Sequence, residues 1–139
     1  MLQVRVVRAS DGAVLALVAF GHTGFDRKGR DIVCAGASAV LHTAVLGVTR
    51  IARVEAAVSA GDGYLELHLA PEARSDGRGW QQAQAVLETA VAGLREIGAR
   101  YPGHIQVREE LEGGPGDGAR PEGAGGRAAV TQRQFGSAR

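Results

Sequence analysis

Apolar and polar side chains alternate along the first segment of the chain. In residues 2–8, LQVRVVR, the polar residues Gln3 and Arg5 separate apolar positions, and a period of two is typical of a strand with one face on a core. A turn signal at 10–12, SDG, separates this segment from residues 13–20, AVLALVAF, whose unbroken apolar run indicates a buried strand. The two segments are therefore predicted to pair as a β-hairpin.

The middle of the chain is predicted to hold a helix and a second hairpin. Residues 21–31 carry three glycines and are assigned to a loop, whereas residues 32–48 are apolar nearly all round and lack proline, as expected of a buried helix. Residues 51–58 and 63–69 follow, and leucines occupy every second position of the latter. We assign both segments as strands that meet at a turn over 60–63.

Helical periodicity returns in the next segment. Apolar residues recur at three- and four-residue spacing through 78–100, and the sequence Tyr-Pro-Gly at 101–103 ends that stripe. Residues 104–109, HIQVRE, alternate again and are assigned to a last strand. The order ββαββαβ predicts a single α+β domain over residues 1–111, with a mixed or antiparallel sheet packed with two helices.

Residues 112–139 have a different composition. From Gly113 onwards there are eight glycines and two prolines, and Phe135 is nearly the only large apolar residue. Such a segment buries too little apolar surface to offset the entropy of ordering its backbone, so we predict a disordered tail. Its small excess of arginine is weak ground for contact with RNA, and a solvated tail is the simpler interpretation.

Composition narrows the class of protein. A chain of 139 residues has the length of one domain, and a net charge of +1 gives no polybasic signal for nucleic acid or membrane. The longest strongly apolar run near the N-terminus, residues 13–20, is far shorter than the ~20 residues that span a bilayer, and no secretory signal precedes it. We therefore expect a cytoplasmic protein that makes no membrane contact.

The chain has a single cysteine, Cys34. One cysteine excludes an internal disulfide framework and a cysteine-rich zinc site, and it fits a reducing compartment. Asp31 is a good N-cap residue and would place Cys34 in the first turn of the helix. The unpaired amides and the positive end of the helix dipole favour a thiolate there, which is the nucleophilic form of cysteine.

A general base is needed beside such a thiol, and His22 is the best candidate because only a short loop separates it from the helix start. The remaining histidines fit less well. His42 lies eight residues along the same helix, roughly 12 Å from Cys34, and the sequence does not bring His68 or His104 near the thiol.

The residues alone leave plainer interpretations open. A cysteine in a helix rich in alanine and valine is usually a small core hydrophobe. Asp31 is fully accounted for as a cap, and the charged residues of the loop as a solvated surface. The loop glycines, Gly21, Gly24 and Gly29, are accounted for as turn residues.

The pattern from 21 to 39 resembles the signature of a known family. Gly21-His22, then Gly29, Asp31, Val33-Cys34-Ala35 and Ser38-Ala39, with the spacing from 22 to 34, resemble the Prp family, the ribosomal-processing cysteine proteases of bacteria. The likeness covers about residues 1–111 and leaves the tail outside it.

The resemblance implies a small homodimeric cysteine protease that needs no metal or cofactor. It implies that the enzyme removes an N-terminal extension from ribosomal protein L-twenty-seven of the large subunit. Cys34 would be the nucleophile, and His22 the general base and later the general acid. Nucleic acid would be met only indirectly, through the ribosome.

Further residues match the same motif. The resemblance implies that Asp31 caps the helix and orients the site, that Ser38 supports it one helical turn beyond Cys34, and that Gly21 belongs to it. The loop over 23–30 would close on substrate, with Gly24 and Gly29 allowing the change in backbone angles.

Two other functions remain as alternatives. A non-catalytic ribosome-associated or RNA-binding module of the same fold would use Arg27, Lys28, Arg30 and the arginines of the tail, and the loss of Cys34 would not affect it. A thiol redox sensor would need pairing between molecules, because the chain has no resolving cysteine.

Overall fold

Five strands and two long helices follow one another in the order that the sequence predicts. The structure is a computed structural model that describes residues 1–114 and a two-residue strand further on. The elements are β1 (Leu2–Arg8), β2 (Val14–Phe20), α1 (Ile32–Leu46), β3 (Ala56–Gly61), β4 (Tyr64–Leu69), α2 (Gly77–Arg100), β5 (Ile105–Leu111) and β6 (Val130–Thr131).

The strands form one mixed sheet in the order β5-β1-β2-β4-β3-β6. β1 pairs antiparallel with β2 and parallel with β5, in a register that sets Leu2 beside Ile105. The remaining pairs are antiparallel. The predicted α+β class, with a mixed sheet and two helices, is confirmed.

Most of the predicted disordered tail lies outside the described residues. Within it the structure describes only residues 112–114 and the short strand β6, whose backbone pairs with Ala57 and Val58 of β3. The boundary between a domain over 1–111 and a tail over 112–139 stays a prediction.

Aliphatic side chains fill the space between the sheet and the helices. Every second residue of β1 and β4 points into this core, and Val6, Leu17 and Leu67 are almost fully buried there. From the helices, α1 contributes a stripe from Val33 to Val45 and α2 a stripe from Ala83 to Leu94. Closely packed aliphatic side chains thus form the core of a chain that has few aromatic residues.

The start of the third strand differs from the prediction. Residues 51–58 were assigned to it, but a π-helical turn, Gly47–Ile51, continues α1, and β3 begins only at Ala56. The turn is held by a bond from the Ala52 amide to the Gly47 carbonyl. Val48 is fully buried in it, so the apolar pattern taken for a strand belongs to a helix that packs on the core.

The long helical stretch Ile32–Ile51 is apolar enough, by length and composition alone, to cross a membrane, a test that the core helix of a soluble protein also passes. Its inward side carries core residues such as Val33 and Leu41. However, only 39% of its most apolar 18-residue window is buried. An apolar outward surface is therefore left on the described part of the chain.

Three connections meet at one end of the sheet. The amide of Gly21, directly after β2, donates to the carbonyl of Gly63 in the β3–β4 turn at 2.8 Å. The amide of Leu2 donates to the carbonyl of His104, in the turn before β5, at 3.0 Å. The loop over 21–31 then leads from this end of the sheet to the start of α1.

Candidate active site

A cleft of about 170 Å³ opens where the loop over 21–31, the start of α1 and the β3–β4 turn meet. It brings together four of the residues predicted from sequence. These are Gly21, His22, Cys34 and Ser38. His42, which was placed along the helix from Cys34, lines the same cleft, and its Nδ1 lies 2.8 Å from the Ser38 carbonyl oxygen.

Cys34 lies in the first turn of α1, as predicted. Asp31 is the N-cap, with φ −79° and ψ 97°, and its Oδ1 accepts a hydrogen bond from the Cys34 amide at 2.8 Å. The Cys34 side chain is partly exposed and faces the cleft, so it is not a core hydrophobe. The cap fixes where the helix begins and hence where the thiol stands.

The second carboxylate oxygen of Asp31 binds the preceding loop. It accepts from the Thr23 hydroxyl at 2.5 Å and from the amides of Phe25 and Asp26 at 3.0 and 3.3 Å. Partial burial raises the pKa of Asp31, but these bonds and the bond from the Cys34 amide outweigh it and hold that pKa at about 2. Asp31 therefore orients both the helix and the loop as a carboxylate.

Acid should weaken this arrangement in a defined pH range. Because the pKa of Asp31 lies below its ordinary value of 3.8 in the folded protein, its contribution to stability is present above that value and is lost as the pH falls through about 2. We expect the stability advantage of wild type over Asp31→Asn to shrink between pH 4 and pH 2, measured by urea unfolding. An advantage that stays constant over this range would contradict the assignment.

The His22 side chain is exposed and rests against the β3–β4 turn. A Cβ atom added to Gly63 would lie 2.8 Å from Nε2 of His22, and Gly63 has φ +76°. Gly21, with φ +92°, is equally confined, because a Cβ atom there would lie 2.7 Å from the Met1 carbonyl oxygen. Gly63 therefore leaves room for the His22 ring, and Gly21 lets the chain directly before His22 pass close to Met1.

Gly63→Ala should displace His22, and Gly12→Ala provides a matched control. Both positions have positive φ, but a Cβ atom at Gly12 in the β1–β2 turn would meet no atom of the described residues within 4 Å. We expect each variant to lose about 1–2 kcal/mol of stability from left-handed backbone. Only Gly63→Ala should also lose catalytic activity that depends on His22, by about tenfold, because its methyl group pushes on the histidine.

Thermal unfolding and initial cleavage rates, taken on both variants, separate the two effects. Equal activity in the two variants at matched stability would show that the His22 ring does not depend on the surface of the β3–β4 turn.

The outer part of the loop contacts the β3–β4 turn. Lys28 forms an exposed ion pair with Asp62 of the β3–β4 turn at 3.1 Å. Gly24 and Gly29 have φ +63° and +86°, and neither is crowded by a neighbour. Their backbone conformation alone favours glycine.

Sequence reasoning missed four residues that hold the loop. Thr23 is 1% exposed, and its carbonyl oxygen lies 2.7 Å from Nδ1 of His104. The Phe25 ring makes edge contacts with the rings of Tyr101 and His104, at centroid distances of 5.3 and 5.4 Å. A phenylalanine in an otherwise polar, glycine-bearing loop was the available signal.

Comparison with known proteins identifies the family. The family model described as cysteine protease Prp matches residues 1–106. The chain belongs to this family. The family's class, cysteine protease, agrees with a cleft that contains two histidines, His22 and His42, and the only cysteine of the chain.

Individual Prp proteins are similar over nearly their whole length. The ribosomal processing cysteine protease Prp of Bacillus subtilis strain 168 is 33% identical over 117 residues, which is 80% of this chain and 99% of the relative. Prp of Staphylococcus aureus strain Mu50 is 29% identical over 107 residues, 77% of this chain and 97% of the relative.

A solved Prp structure has the same fold. The crystal structure of the ribosomal processing protease Prp from S. aureus, in complex with a covalently linked product peptide, matches with a TM-score of 0.71. It is 27% identical and covers 79% of this chain and all of the other. The family resemblance drawn from the 21–39 motif is thus confirmed.

Proposed function

We propose that this cysteine protease removes an N-terminal extension from ribosomal protein L-twenty-seven in the cytoplasm, during maturation of the large ribosomal subunit. The observation that carries the proposal is the placement of His22 and Cys34 on one cleft, with Asp31 holding the helix start. Relatives described as ribosomal processing proteases support the substrate class.

The chemistry proposed for the dyad is acyl transfer. The Cys34 thiolate attacks the scissile carbonyl carbon, and the carbonyl electrons move to oxygen in a tetrahedral intermediate. Protonated His22 then gives its proton to the leaving amine, the C–N bond breaks and a thioester remains on Cys34. Water, deprotonated by His22, hydrolyses the thioester and restores the thiol.

The structure limits which groups can donate hydrogen bonds to the negatively charged oxygen of the tetrahedral intermediate. Two backbone amides at the start of α1 already have partners: the Cys34 amide donates to Asp31 Oδ1 and the Ala35 amide to the Asp31 carbonyl. The negative oxygen would therefore take its donors from groups other than these two amides, or the bond from the Cys34 amide to Asp31 would open when substrate binds.

Intact-mass measurement tests the proposed substrate directly. The precursor of ribosomal protein L-twenty-seven from the same organism is incubated with the protein, and a defined N-terminal peptide should be lost. Because Cys34 is the only cysteine, the matched control is enzyme alkylated once by iodoacetamide, which should leave the precursor whole. A precursor with an extension that survives wild-type enzyme would overturn the proposed substrate.

We further propose that the protein is a homodimer that pairs through an apolar groove between α1 and α2. The groove measures about 620 Å³, and none of the described residues that line it is charged. Its walls are small or apolar, among them Ala39 and Thr43 from α1, Gly47 from the π-helical turn that continues it, and Ala85, Thr89 and Gly93 from α2. Exposed apolar surface of this kind is typical of an interaction site.

Analytical ultracentrifugation tests the dimer. Wild type should sediment at twice the 14.4 kDa of one chain, and Thr43→Glu, at an exposed groove position, should sediment as a monomer. A matched change outside the groove, Gln81→Glu on the exposed surface of α2, should remain dimeric. A monomeric wild type at micromolar concentration would refute the proposed pairing.

A further inference from the structure

A second histidine, His104, contacts the loop that carries His22. It lies in the tight turn between α2 and β5, where its own amide donates to the Tyr101 carbonyl at 3.2 Å. Its Nδ1 lies 2.7 Å from the carbonyl oxygen of Thr23, 81 positions away in sequence. Its ring also contacts the Phe25 ring edge-on.

Thr23 is the residue directly after His22, and it is fixed from two sides. Its hydroxyl donates to Asp31 at 2.5 Å, while its carbonyl oxygen faces His104. Its side chain is buried among these partners. The main chain that leaves His22 is thus held between the start of α1 and the start of β5, although His22 itself is exposed.

The partner of His104 determines which ring nitrogen carries a proton. A carbonyl oxygen can only accept a hydrogen bond, so Nδ1 of His104 must be the donor. Nδ1 bears a proton in one neutral tautomer and in the cation alike. An asparagine can offer a side-chain N–H from nearly the same place as Nδ1, whereas leucine offers none.

We propose that His104 is a positioning residue for the peptidase, which holds His22 in place through the carbonyl group of Thr23. The inference rests on the proposed Cys34–His22 dyad and adds a residue that the family motif at 21–39 does not contain. Phe25 and Tyr101 complete the clamp, because the Phe25 ring packs edge-on against the rings of both His104 and Tyr101. Without the hydrogen bond from His104, the loop should hold His22 in its catalytic position for a smaller fraction of the time.

The rate at which iodoacetamide alkylates Cys34 at pH 6.5 reports on this positioning without any peptide substrate. A nearby protonated histidine keeps cysteine as thiolate, so removing or misplacing it slows alkylation. We expect His22→Ala to slow the reaction by more than tenfold and His104→Leu by about three- to tenfold, the size that corresponds to one neutral hydrogen bond. His104→Asn should stay within about twofold of wild type.

Peptide cleavage should follow the same order, with the loss of His104→Leu in kcat and with KM nearly unchanged. A His22→Ala variant alkylated as fast as wild type would refute the proposed dyad. A slow His22→Ala together with a His104→Leu variant at wild-type rate would refute the role of His104 alone. Equal losses in His104→Leu and His104→Asn would also refute it, since the donor would then not matter.

A measurement on wild type keeps the proposal falsifiable if His104→Leu fails to fold. Long-range ¹H–¹⁵N spectra of the histidine rings distinguish the two neutral tautomers. His104 should appear with its proton on Nδ1 at neutral pH. A neutral ring with its proton on Nε2 alone cannot donate to Thr23 and would overturn the inference.

Discussion

Cys34→Ala will abolish peptide cleavage, with kcat/KM lower than that of wild type by about 10⁴-fold or more. No other side chain on the cleft can form the proposed thioester, and removal of a nucleophile typically has an effect of this size. The side chain is only partly buried, so the fold should survive. Cleavage is followed by mass spectrometry, with circular dichroism as the check on folding.

Two companion variants sharpen this prediction. His22→Ala should lose activity by a similar order, because the two groups act as one unit and their effects do not add. Ser38→Ala, one turn beyond Cys34 on the same cleft, should lose less than about tenfold if the serine only supports the site. A Cys34→Ala protein that still cuts the precursor at a comparable rate would rule out catalysis by the thiol. It would favour a non-catalytic, ribosome-bound role.

Asp31→Ala should lower kcat/KM by about 100-fold, the largest effect expected outside the Cys34–His22 dyad. The change removes an acceptor for the amides of Cys34, Phe25 and Asp26 and for the Thr23 hydroxyl. The start of α1 and the His22 loop would then lose the hydrogen bonds through which Asp31 fixes their relative position. Misplacement of reacting groups by about 1 Å can produce losses of this order. The measurement is a full kinetic analysis on the precursor peptide.

A matched control separates this effect from simple loss of a helix cap. Asp76 caps α2 by accepting from the Gly79 amide at 3.1 Å, and it does not line the cleft. Asp31→Ala and Asp76→Ala should each lose about 1–2 kcal/mol of unfolding free energy, which is typical of an N-cap. Activity should fall only in Asp31→Ala. A parallel fall in Asp76→Ala would mean that general destabilisation explains both.

Local sequence signals carried most of the fold and half of the candidate site. The stripe through α2 and the alternation in β4 predicted those elements because each depends on neighbours close in sequence. Asp31 could be assigned as a cap for the same reason, since an N-cap and its first turn lie within four residues. The position of Cys34 in the first turn of α1 then followed from the assignment of Asp31 as the cap.

Contacts between distant segments were beyond the sequence patterns. His104 reaches Thr23 only because β5 lies parallel to β1 at one end of the sheet, and no periodicity reports that pairing. The late start of β3 was missed for a related reason: Val48 and Thr49 are buried by tertiary packing of a π-helical turn. A short apolar run looks alike in a strand and in a buried helix.

The parallel pairing of β1 with β5 also sets an order of events during synthesis. β1 is the first strand to be made, yet its outer neighbour is the last of the five main strands, across a separation of 103 residues between Leu2 and Ile105. The turn that carries His104 arrives with that last strand. A nascent chain that has passed residue 100 already contains Cys34, His22 and Asp31 but still lacks the clamp on the His22 loop. We therefore expect the thiol to become fully reactive only once β5 has been added, so that the chain gains proteolytic competence at the end of its own folding.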